Sequence, residues 1–170
     1  MRSINPRNVT ALQLRGDVRQ TLARGTLLQR FGLAKMLLKP CESQYRIVWE
    51  NPREFDDPAS ITTPDPNWLA CALFGYILPP VEVHLMLKRD AAQPGFENHH
   101  RRHFLDTAPT LEPMTEEQAI EYLVKKDLPN HIWDGSYQGN RQILRIVKAS
   151  SIPANRTFRD AWRVNQEQTA

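Results

Sequence analysis

RQILRIVKASSIPANRTFRDAWR, residues Arg141 to Arg163, runs a strand, a proline turn and a short helix together. From Gln142 to Lys148 the chain alternates, with Ile143, Arg145 and Val147 on one side and Leu144, Ile146 and Lys148 on the other. That period of two predicts a strand with at least one buried face. Ile152-Pro153 stops it, and Asn155 suits the N-cap of a helix on which Phe158, Ala161 and Trp162 share a face. Arg156, Arg159 and Arg163 lie on another face. A helix this short needs a docking surface for Phe158 and Trp162, in the same chain or in a partner.

Upstream of this stretch, Thr115 with Gln118 predicts a capping box opening a helix, with Ala119, Ile120, Leu123 and Val124 inward and a Glu121–Lys125 pair outside. Asp127-Leu128-Pro129 ends that helix, and Gly135 and Gly139 mark the turns that lead into the strand. The run VEVHLMLK, Val81 to Lys88, alternates cleanly and predicts a second strand. QYRIVWE, Gln44 to Glu50, predicts a third, with Tyr45, Ile47 and Trp49 opposite Arg46, Val48 and Glu50. Between them, Pro52, Pro58, Pro64 and Pro66 exclude a helix or an interior strand. Trp68 to Tyr76 is apolar nearly all round and reads as a buried helix, although its length also permits a buried strand.

The N-terminal segment is less decided. Val9 to Leu14 fits a short strand or the approach to a helix, Asp17 can cap a helix, and Gly25 and Gly32 predict two short helices between residues 17 and 39. Residues 1 to 40 carry eight Lys/Arg against Asp17 alone, so a net charge of +7 sits there while the other residues sum to −4. Such a basic arm suits phosphate or an acidic neighbour, and it is equally what a solvated helix face looks like. The chain thus divides into a basic helical arm, 1–40; an α+β body with extended loops, 41–113; and a helix–strand–short-helix module, 114–170. The expected fold is α+β, with roughly four strands in a mostly antiparallel sheet and helices on one face.

Several function classes find no support. The longest apolar run, Trp68 to Leu78, is about half of the roughly 20 residues that span a bilayer, and MRSINPRNVT lacks the apolar core of a secretion signal. Cys41 and Cys71 form no CxxC motif, and buried thiols are expected. His99 and His103, four apart in ENHHRRHF, face one way on a helix with Glu97 or His100 nearby, but no second ligand cluster exists and Arg101 and Arg102 repel a cation. A solvated linker, or a contact to phosphate or to an acidic surface, is the expectation there. No phosphate-binding glycine loop, HExxH or nucleophile elbow occurs, and neither an enzyme nor a cofactor is expected.

Residues 115 to 163 resemble a recurring segment in short proteins of tailed bacteriophages and prophages. The matching elements are Lys126-Asp127-Leu128-Pro129 and Ile152-Pro153-Ala154-Asn155-Arg156-Thr157-Phe158-Arg159-Asp160-Ala161-Trp162. Asn155 replaces the pattern's Asp and Asp160 its Asn; the first keeps a cap and the second a small polar side chain. The resemblance implies a virion accessory protein of the tail or head-to-tail region, made in the host cytoplasm and carried in the virion. Its implied partners are other virion proteins, with multiple copies in a symmetric assembly. Candidate partner-binding residues are Arg15, Arg19, Arg24 and Arg30 on the arm, with Arg156, Phe158, Arg159 and Trp162 at the other end. The alternative is an intracellular phage effector that binds nucleic acid through these arginines or inhibits a host complex.

Overall fold

Tyr45–Trp49 (β1) is an apolar, β-branched and aromatic run, and it becomes the centre of a three-stranded antiparallel sheet. This is seen in a computed structural model that describes residues 25–54, 57–90, 98–153 and 164. Ser60–Thr62 (β2) pairs on one side of β1 and Leu144–Lys148 (β3) on the other. The chain is α+β, and it divides into two compact units built from interleaved segments.

The first unit, described over residues 25–41, 67–90 and 98–115, is helical. Its helices are Leu27–Leu37 (α1), Pro66–Phe74 (α2), Val81–Asp90 (α3) and Asn98–Thr107 (α4). Helix α2 buries Trp68 through Ala72 in succession, as its apolar circumference demands. A strap from Leu111 to Met114 runs along its end. The amide of Tyr76 donates to Leu111 O at 2.6 Å, that of Leu111 to Leu78 O at 2.9 Å, and that of Met114 to Ala72 O at 3.1 Å. Gly75 and Tyr76, with φ of 80° and 60°, make the left-handed bend that aims these groups at the strap.

The strand expected over Val81 to Lys88 is a helix, α3. Its sheet-like alternation has no strand to pair with, because the described strands all belong to the other unit. Helical signals win instead: Pro79-Pro80 before the first turn, Glu82 in that turn, and Lys88 and Arg89 in the last, each charge opposing the local end of the helix dipole. Gly32 likewise does not interrupt α1. Thr26 and Gln29 form a reciprocal capping box, Asp106 Oδ1 accepts the Leu27 amide at 2.6 Å, and the helix continues through the glycine. Nothing lies within 4 Å of the place a Gly32 Cβ would occupy. Gly32→Ala is therefore expected to stabilise the isolated chain by about 1 kcal/mol, measured by urea denaturation.

The second unit, described over residues 42–54, 57–66, 116–153 and 164, holds the sheet, Glu116–Asp127 (α5), Asn130–Trp133 (α6) and a 3-10 turn, Ala149–Ser151. Three strands are present among the described residues where roughly four were expected. β2 went unforeseen because Pro58 and Pro64 bracket it, which holds it to three residues at the sheet edge. β1 and β3 pair over five residues, Tyr45 opposite Lys148 through Trp49 opposite Leu144. The pairing extends at both ends, by Ala149 N to Gln44 O and Glu50 N to Ile143 O. The register sets Ile146 opposite Ile47, and Arg145 opposite Val48, so Leu144 and Ile146 lie on the same face as fully buried Ile47, with Ile146 itself 47% exposed.

α5 buries Ala119, Ile120, Leu123 and Val124, the expected stripe, with Tyr122 in addition. It is pinned to the start of β1: Glu116 Oε1 accepts from Ser43 Oγ at 2.7 Å and from Gln44 N at 2.8 Å, while Tyr45 donates its hydroxyl to Glu117 Oε1. That bond favours the protonated phenol and raises its pKa. The Glu121–Lys125 pair forms at 2.7 Å on the outside. Burying each of the large aliphatic side chains gives roughly 1.5–3 kcal/mol, against a few tenths for such an exposed pair. Packing therefore holds α5, and the pair trims it.

Candidate functional site

Two surfaces on the helical unit are neither core nor cap. One is on α1, where Arg30 and Ala34 are buried and the opposite side faces water. Leu28 and Met36 there are 81% and 83% exposed, far more than large apolar side chains usually are. Gly32 lies halfway between them, and steps of four residues turn by only 40° on a helix, so the three form one drifting stripe. Lys35 and Lys39 are exposed beside it.

The second is α4, which the sequence suggested as a linker because ENHHRRHF has no apolar period. It is helical, and His99, His100, Arg101, Arg102, His103 and Phe104 are all exposed. His99 and His100 set their rings 4.0 Å apart, and His103 meets Phe104 edge-on at 6.2 Å. Among the described residues no group of three or more His, Cys, Asp or Glu is placed to hold a metal ion. The C-terminal half of α4 turns inward and meets α1 through Leu105 and Asp106.

Arg30 lies in that junction. It is 5% exposed, donates from Nη2 to Leu105 O at 3.4 Å, and has its pKa lowered by desolvation against the upward pull of Asp106. Its work in this structure is internal, in joining α1 to α4. The other expected contact residues, Arg15, Arg19, Arg24, Arg156, Phe158, Arg159 and Trp162, lie outside the described residues. Cys41 is half-buried and Cys71 buried, both as thiols. No helix among the described residues is long and apolar enough to cross a membrane.

In the sheet unit the notable polar group is internal. The Glu50 side chain is 1% exposed; its Oε2 is 2.7 Å from Arg141 Nη2 and its Oε1 accepts the Val164 amide at 2.6 Å. One carboxylate thus holds three distant parts of the chain. Both of these contacts lie within the one unit, and they make the carboxylate a clasp between its segments. No family model, curated protein or solved structure matches the chain.

Proposed function

We propose that this protein is a non-enzymatic accessory subunit of a tailed-phage virion, at the tail or head-to-tail region, which works by docking on other virion proteins. The observation that carries the docking reading is the Leu28–Gly32–Met36 stripe, two large apolar side chains left in water on a capped helix. Gly32 supports it: a glycine in an exposed helix interior costs about 1 kcal/mol, and it suits a place where a partner's backbone comes close. The phage setting rests on the likeness of the Lys126–Pro129 and Ile152–Trp162 elements to phage accessory segments. Partners bind in several copies, following the symmetry of the particle.

Mass spectrometry of washed, intact particles is the test, with several copies per particle as the expected result and its absence from particles the contrary one. Leu28→Glu with Met36→Glu is expected to leave the melting temperature within about 2 °C, because both side chains are already solvated, and to lower incorporation at least several-fold. Unchanged incorporation would place the docking surface elsewhere.

A further inference from the structure

We propose that the first two turns of α4 are a docking element for duplex nucleic acid, inserted into the major groove and held by phosphate contacts from Arg101 and Arg102. Six consecutive exposed residues, His99 to Phe104, go more than once round a helix at 100° per residue. The segment is therefore exposed all round, which leaves room on both sides of it for the walls of a groove. A segment open all round suits a groove with phosphates on both walls. The B-form major groove, about 12 Å wide, admits a helix about 10–12 Å across. Arg101 and Arg102 leave the helix about a quarter turn apart, and the His103 imidazole adds an N–H donor on a further side.

The electrostatic surroundings agree. Helix α4 has no acidic residue in its first turn, so its arginines sit near the positive end of the helix dipole, where an anion is favoured. Asp106, the one carboxylate described on α4, has Oδ1 engaged by the Leu27 amide. α3, packed against α4, ends in Lys88, Arg89 and Asp90, and that Asp is ion-paired with Arg89 at 3.0 Å. This site is separate from the apolar stripe, and either can fail without the other.

Fluorescence anisotropy on the full chain tests it, using a labelled random-sequence DNA duplex of about two helical turns, the matching single strand, and labelled polyglutamate. The duplex is expected to bind best. Arg101→Ala with Arg102→Ala should weaken duplex binding about tenfold or more at physiological salt and flatten the log–log salt dependence by about 2, since each phosphate contact contributes about 0.9. Arg101→Gln with Arg102→Gln, which keeps helix-forming side chains, guards against a folding defect and should give the same loss. Failure of the wild-type chain to bind duplex overturns the proposal. Equal binding by the variants also does, by moving the contact to the basic arm. Tighter binding to the single strand or to polyglutamate rules out the groove.

Discussion

Glu50→Ala is expected to destabilise the sheet unit by about 3 kcal/mol, at the low end for breaking a buried ion pair because the Arg141 side chain keeps 30% of its surface in water. The substitution leaves Arg141 without its carboxylate and the buried Val164 amide without its acceptor. Glu50→Gln keeps an oxygen for the Val164 amide and loses the charge, so a smaller deficit of about 1–2 kcal/mol should follow. Glu121→Ala provides the comparison. It removes an ion pair of the same length from the exposed face of α5 and should change stability by less than about 0.5 kcal/mol. Urea denaturation of the three variants would check the order, and equal effects from Glu50→Ala and Glu121→Ala would show that the clasp contributes nothing special. Native-state hydrogen exchange should locate the loss at the amides of Val164 and Glu50 before those of α2.

Gly75→Ala should be as damaging to the helical unit, for a different reason. A Cβ at Gly75 would stand 2.4 Å from Pro113 N and 2.8 Å from Pro113 Cα, backbone atoms that cannot rotate aside, and at φ +80° the alanine would be strained even in open space. Left-handed strain of about 1–2 kcal/mol, with about 1–3 kcal/mol for forcing the strap away, gives a loss of about 4 kcal/mol. Gly135→Ala separates the two contributions. Gly135 has nearly the same φ, +79°, but nothing within 4 Å of its would-be Cβ, so only the conformational part, about 1–2 kcal/mol, should appear. Thermal melts followed by circular dichroism would show a large gap between the two variants. Equal losses would mean that contact with Pro113 does not matter.

These two positions also show what could be seen in the residue pattern alone. β1, β3 and α5 were legible because each carries its own period, whereas α2, apolar nearly all round, left helix and strand both open: the α5 stripe and its outer Glu121–Lys125 pair are where spacing puts them. Glu50 looked like the last outward position of an alternating strand, opposite in phase to Ile47 and Trp49. It is buried because Arg141 and Val164, remote in sequence, close over it, and no local window contains that fact. Gly75 lies inside the run Trp68 to Tyr76 that reads as one buried helix, and only the strap that brings Pro113 against it shows why a glycine is needed there. α3 failed in the opposite direction. Its alternation was real, but alternation needs a neighbouring strand to mean anything, and Pro80, Glu82, Lys88 and Arg89 were the better guides. α4 gave no apolar period because it buries almost nothing, which is also why it is available for contact. Of the candidate contact residues, the reading of charge could place Arg30 on the basic arm but could not tell that its guanidinium points into the protein.

The bond from Val164 to Glu50 joins residues 114 apart, and β1 finds β3 across nearly as great a separation. During synthesis at about 5–20 residues per second, β1 waits several seconds beyond the ribosome exit without its main partner, while the helices encoded in between are already complete enough to collapse. A nascent chain halted before Leu144 would therefore expose the apolar strand Tyr45–Trp49 with one edge bare, which makes premature termination, rather than heat, the circumstance in which this protein is most exposed to chaperones and to self-association.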